Sequence, residues 1–229
     1  MDNNVLGTSI CPKDFDTAAR QHGRFFARYR LAGNHAAGKN VLDAACGSGF
    51  GSAWLARSAR SVLGVDLDET MLAEAAHWML PELALANLRF QKHDLAEPFA
   101  PGTRFDLIVS FETLEHVRDP AAVLANFAAH LAPGGLAIIS IPNGSKELRD
   151  GDWEPSHHVH FSAEDFPRLV AASFGHAEYY SEILHRGLRH YLRKLCGGGR
   201  HHADDYRFLP GLDERAKTWV ALCRGAIMK

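Results

Sequence analysis

Three stretches of this chain carry residue types that do chemistry. The first is Asp43-Ala44-Ala45-Cys46-Gly47-Ser48-Gly49-Phe50-Gly51, an acidic residue followed by three glycines spaced two apart. Glycines can take positive φ and let a ligand lie against backbone. An apolar strand, a glycine turn and a helix receive nucleotide-like ligands at the edge of an α/β sheet. The spacing is Gly-x-Gly-x-Gly, one residue tighter than the Gly-x-Gly-x-x-Gly of a dinucleotide turn. Asp43 beside the glycines suits an ammonium and opposes a pyrophosphate. The second stretch is Phe111-Glu112-Thr113-Leu114-Glu115-His116-Val117. It sets a histidine, the side chain suited to removing a proton near neutral pH, among carboxylates. His116 is a candidate base here, or it bonds Glu112 or Glu115 and orders the loop. The third stretch, Asp150–Phe161, holds Trp153, His157, His158 and His160. If it is extended, His158 and His160 face one way and His157 and Val159 the other. It reads as an acceptor pocket roofed by Trp153 with a histidine base, as a divalent metal site, or as a structural loop.

These residues need a sheet to place them. Strands are expected at 40–45, 61–66, 88–92, 105–110 and 135–141, with helices at 52–58, 69–79 and 120–131 between them. Asp119 and Pro120 mark one helix start and Pro133-Gly134-Gly135 its end. Short continuous apolar strands, such as Leu107-Ile108-Val109, suit a parallel sheet covered on both faces. The pattern is α/β, a Rossmann-like doubly wound sheet with right-handed crossovers. Residues 1–12 read as a polar tail, and 13–39 hold an N-terminal helix (Phe15 to Ala32) that covers the ligand cleft or packs on the sheet edge. Residues 40–229 form one domain. Residues 142–161 are a polar loop long enough to be functional. A helix follows at 163–173 with Ser162 as N-cap, then late strands at 177–184 and 218–223. Residues 186–207 are a basic, irregular insert.

Composition narrows the classes. With 46% hydrophobic residues in 229, the chain can bury a full core. Twenty-five Lys and Arg against 27 Asp and Glu give a net charge of −2, with no drive toward nucleic acid or an anionic membrane. No apolar run approaches the roughly 20 residues that span a bilayer. The start, Met1-Asp2-Asn3-Asn4, lacks a signal-peptide pattern. Four scattered cysteines suggest no zinc knuckle or disulfide framework, so a cytoplasmic setting is expected.

Five ordered motifs carry a resemblance. The glycine stretch, Gly64-Val65-Asp66-Leu67-Asp68, His93-Asp94-Leu95, Phe105-Asp106-Leu107-Ile108-Val109-Ser110 and Leu131-Ala132-Pro133-Gly134-Gly135 together resemble the class I S-adenosylmethionine-dependent methyltransferases. The resemblance implies a seven-stranded sheet, mostly parallel with the last strand antiparallel, and S-adenosyl-L-methionine as cofactor. It implies that Asp43, Ala45, Gly47 and Gly49 meet the methionine end and that Asp66 accepts from the ribose hydroxyls, as an acidic residue does in the dinucleotide fold. Leu67 then packs on adenine, Asp94 accepts from its amine, Leu95 offers backbone, and Ser110 and Phe111 line the same cleft. Capping roles for Asp66 and Asp94 are the structural alternatives.

For the acceptor, His116, His158 and His160 are the expected catalytic histidines, with Glu112, Asn143, Trp153 and His157 contacting substrate. The Pro-Asn after strand five, the His-x-His-x-Phe run and the segment 22–30 resemble a branch found among sugar- and polysaccharide-modifying enzymes. The expected activity is O-methylation of a small-molecule or glycan-type hydroxyl. N-methylation or methylation of a quinone-type phenol is the alternative. An NAD-dependent oxidoreductase is disfavoured by Gly51 and Asp43, and a non-catalytic binder is a further reading. A nucleic-acid substrate lacks both a charge footprint and an Asn-Pro-Pro-aromatic element after strand four. No metal is assigned.

Overall fold

The computed structural model describes residues 15, 19, 22–83, 85–151, 154–187, 190–191 and 201–227 (backbone only for 78–83). Helix α1 (Gly23–Gly33) precedes the alternating middle of the chain. There β1 (Asn40–Ala44), α2 (Phe50–Ala56), β2 (Ser61–Asp66), α3 (Glu69–Leu83), β3 (Leu88–Lys92), β4 (Phe105–Phe111), α4 (Pro120–His130) and β5 (Leu131–Pro142) follow in turn. Then come α5 (Gly144–Asp150), α6 (Asp165–Ala171), β6 (Phe174–Leu184), β7 (Tyr206–Pro210) and β8 (Thr218–Ala226). The spatial order is β3-β2-β1-β4-β5-β8-β6-β7. The first five strands in this order run parallel. β8 lies between β5 and β6, antiparallel to both. This is the doubly wound, mostly parallel sheet with an antiparallel final strand that the motifs imply.

Eight strands stand where seven were expected. The extra one, β7, pairs antiparallel with the end of β6, Leu184 opposite Tyr206. It begins inside the segment 186–207 expected to be irregular. Three of its five residues are exposed, as an edge strand's are, so it has no buried apolar run by which to be read. A second difference lies in 142–161, which contains helix α5. Gly144-Ser145-Lys146-Glu147-Leu148-Arg149-Asp150 has no apolar stripe. Its helix instead starts on the Asn143 side chain, which accepts from Lys146 N at 3.0 Å. The Asp119 cap follows the sequence, its Oδ1 accepting from Ala122 N at 2.9 Å. Ser162, expected as the N-cap of 163–173, instead holds the turn that leads into α6, its Oγ accepting from Asp165 N at 3.0 Å, and the helix starts after Glu164.

Alternate residues of the central strands feed two cores. Leu42, Ile108 and Ile139 face one helix layer, and Val41, Leu107, Val109 and Ile138 face the other. Both faces being covered explains the unbroken apolar runs. The strand order reverses between β1 and β4, where Ala44 pairs with Ser110. Ligands of such sheets bind at that switch point, beyond the carboxyl ends of the strands.

Candidate functional site

Among the described residues, two that are not glycine have positive φ: Ala45 (61°) and Glu112 (52°). They follow β1 and β4 directly, so both sides of the switch point carry a backbone conformation that costs energy for an L residue. Such strain gathers at functional sites. After Ala45 the glycine turn folds back, with Gly47 at φ 53° and Gly49 at φ 74°. A Cβ on Gly49 would come within 2.4 Å of the Phe90 ring, whereas one on Gly47 would meet only Met71 Cε at 3.5 Å. The first glycine therefore leaves open space above the turn, and the second lets it pack on β3. The Gly47 amide donates to Asp66 Oδ2 at 2.8 Å and the Asp68 amide to Asp66 Oδ1 at 3.1 Å, which fixes the carboxylate at the end of β2. Helix α3 is capped by Asp68, which accepts from Thr70 N and Met71 N at 2.9 and 3.1 Å. Leu67 beside it is 58% exposed, an apolar surface free to receive a flat ring. Asp94 Oδ1 accepts from Ala96 N at 2.9 Å, the turn-capping role, while the Leu95 side chain is buried.

Asp43 is buried beneath this turn, accepting from Ser52 Oγ at 2.6 Å and Tyr29 Oη at 3.1 Å. Burial pushes its carboxyl up to about 7 against the lowering effect of these two bonds. Tyr29 belongs to α1, which spans the carboxyl ends of the strands. Its ring stands edge-on to Phe111 at 5.0 Å and fills the space that a Cβ on Gly51 would enter at 1.9 Å. One residue earlier, Arg28 is fully buried, with Nη1 at 2.6 Å from Glu112 Oε1 and 3.1 Å from Ser140 Oγ. Arg24 bonds Thr218 of β8. Helix α1 is thereby pinned to β1, β4, β5 and β8 at their ends beside the switch point.

On the far side of Glu112 lies a cavity of about 330 Å³. Five carboxylates line it (Glu112, Glu115, Glu147, Asp150 and Glu154) with His116 and His157, against Arg24, Lys146 and Lys217. Its apolar lining is Phe25 and Pro142. Glu115 is 1% exposed, and burial, reinforced by the Glu112 charge, pushes its carboxyl up to about 9. The ring of His116 is held by Nδ1 at 3.2 Å from the Ser156 carbonyl, and burial lowers its pKa below the ordinary value. A neutral imidazole at neutral pH follows. His157 packs edge-on to His116 at 4.7 Å, with Nδ1 at 3.1 Å from Glu147 Oε2.

The alternation expected of 157–160 is not observed. A turn bonds His157 N to Glu154 O at 2.9 Å. The successive amides of His158 and Val159 both donate to Glu115 O, at 2.7 and 3.2 Å, and the chain bends at His158, so the segment is not extended. His157 and His160 both approach Glu147 Oε2, at 3.1 and 3.4 Å, and His158 is exposed. Of the three expected catalytic histidines, His116 lines the cavity and His160 sits behind Glu147. Asn143 borders the cavity, but its amide donates to the carbonyls of Glu214 and Ala216 at 2.9 Å each, besides capping α5. Ser110 is wholly buried at the end of β4, and its hydroxyl makes no hydrogen bond. Trp153 and the tail 1–12 lie outside the described residues. Sequence reading did not single out Tyr29, Arg28, Ser52, Glu115 and Glu147 as site residues. Only Glu115, beside His116, carried a signal that could have found it.

Residues 18–182 match the family model described as a methyltransferase domain, and the chain belongs to that family. Its fold and class are those of an S-adenosylmethionine-dependent methyltransferase, and the cradle of Asp43, Gly47, Asp66 and exposed Leu67 fits that cofactor. The chain is 28% identical over 159 residues to a probable S-adenosylmethionine-dependent methyltransferase of Mycolicibacterium smegmatis, covering 69% of this chain and 60% of that protein. It is 38% identical over 106 residues to a ubiquinone biosynthesis O-methyltransferase of Coxiella burnetii, covering 46% of this chain and 44% of that one. The chain thus spans about half the length of these relatives. Among solved structures, the N-methyltransferase NodS of Bradyrhizobium japonicum with S-adenosyl-L-homocysteine shares the fold, with TM-score 0.63, 18% identity, and 94% and 92% of the two chains covered. A methyltransferase of Mesorhizobium loti aligns with TM-score 0.66 at 20% identity, covering 88% of this chain and 98% of that chain.

Proposed function

We propose that the protein transfers the methyl group of S-adenosylmethionine to a hydroxyl of a small, polar acceptor held in the cavity beside Glu112. The observation that carries this reading is the set of polar groups lining the cavity: five carboxylates and two imidazoles next to the switch point, beside the apolar Phe25 and Pro142. A sugar or other polyhydroxyl compound suits that lining better than the flat, apolar face of a quinone-type phenol. The transfer is an in-line displacement, to which the protein contributes chiefly alignment. The hydroxyl must also lose its proton, which places His116 at the centre of acceptor activation. Asp43 meets the cofactor's ammonium, Asp66 its ribose, and Leu67 and Asp94 its adenine. Release of S-adenosyl-L-homocysteine across a panel of sugars, phenols and amines tests the reading. Turnover is expected with a polyhydroxyl acceptor, dropping on the order of 100-fold in His116→Ala. Undiminished turnover in that variant contradicts the role given to His116.

A further inference from the structure

Neither carboxylate oxygen of the buried Glu115 makes a hydrogen bond. Polar oxygens left unanswered in the interior are costly, and such groups are usually paired or bound to metal. It points into a cluster. Among the described residues, Glu115, His116 and His157 each offer a ligand atom, all within 4.8 Å of one another. Glu147, His157 and His160 form a second group that shares His157.

The other bonds of the imidazoles sort their nitrogens. His116 Nδ1 lies 3.2 Å from the Ser156 carbonyl, which only accepts, so Nδ1 carries the proton and Nε2 keeps its lone pair. His157 Nδ1 lies 3.1 Å from Glu147 Oε2, and the same assignment follows. A histidine that donates its outer N–H to a carbonyl or carboxylate is oriented and tuned as a metal ligand.

We propose that Glu115, His116 and His157 hold a divalent cation, with Glu147 and the Ser156 carbonyl as the groups that orient the two imidazoles. One carboxylate oxygen and two imidazole nitrogens suit Mn2+, Fe2+ or Zn2+ better than Ca2+. Three protein ligands leave coordination positions open. The cavity side of the cluster is the side from which an acceptor reaches them, and two neighbouring oxygens, as in a vicinal diol, would occupy them. That last step rests on the acceptor reading above; cation binding does not. In the loaded protein the two histidines are ligands, so His116 activates the acceptor hydroxyl through the ion, which eases loss of its proton to solvent, instead of accepting that proton itself.

The test is titration of the full chain, stripped with chelator, with Mn2+ read by the electron paramagnetic resonance of the free ion. One equivalent should bind. Binding should be lost in Glu115→Gln and His157→Ala, and weakened about 10-fold or more in the orienting variant Glu147→Gln. Unaltered binding of S-adenosyl-L-homocysteine certifies that each variant is folded. A chain that takes up no Mn2+ or Zn2+, or whose variants bind as well as the parent, overturns the cation site and leaves methyl transfer untouched. Binding of the ion without any effect of chelator on release of S-adenosyl-L-homocysteine overturns its hold on the acceptor.

Discussion

Asp43 is the residue whose environment says most about the cofactor. Its carboxyl, pushed up to about 7 by burial, is largely protonated below that pH in the free chain. A bound ammonium would hold it ionised, so cofactor binding should release protons near neutral pH. The sign is fixed: affinity for S-adenosylmethionine falls as pH drops below about 7, approaching tenfold per unit. Calorimetry in two buffers of different ionisation enthalpy measures the proton release, and affinity constant from pH 5.5 to 8 would contradict it. Asp43 and Asp66 were readable in the sequence because each stands at a strand end beside a recognisable turn. Glu147 was not, because its meeting with His157 depends on α5, a helix with no apolar stripe, and on the turn at Glu154.

Helix α1 is a strap across the ends of β1, β4, β5 and β8, and its buried charge is its weak point. Arg28 faces Glu112 at 2.6 Å and Glu182 at 3.8 Å, and all three have little or no contact with water. Removing this cation leaves Glu112 and Glu182 with only the longer contacts to Arg24, at 4.0 and 3.8 Å, which costs on the order of 3–5 kcal/mol. Arg28→Ala should therefore lower the melting temperature by roughly 10 °C or more, at 2–4 °C per kcal/mol for a chain of this size. The loss should be smaller at acid pH, where Glu182, its carboxyl raised by burial, protonates. A variant within a degree of the parent at pH 8 would show that Arg28 does not hold the strap. The helix was visible in the sequence, but its aromatic and arginine residues gave an uneven face. Only the fold shows that Tyr29 and Arg28 reach the ends of β1 and β4 instead of packing on the sheet edge.

At the scale of the molecule, the parallel half of the sheet followed from local signals: apolar runs covered on both faces, glycine turns and well-marked caps. The antiparallel end was harder. β8 slots between β5 and β6 by long-range pairing, and β7 is an exposed edge with no pattern of its own. Among the described residues no helix is long and apolar enough to cross a membrane. The cradle distinguishes the cofactor class by linkage. S-adenosyl-L-homocysteine at about 100 times its Kd should stabilise the fold by about 2.7 kcal/mol, a shift of roughly 5–10 °C in thermal unfolding. NAD should give none, because Asp43 opposes its phosphates; a shift with NAD and none with the homocysteine would assign the cradle otherwise. The most direct measurement on the whole protein follows a labelled methyl group from S-adenosylmethionine into product. With a vicinal diol and an amine offered together, the label should appear on oxygen, as a methyl ether. A label found only on nitrogen would contradict O-methylation in the cavity beside Glu112.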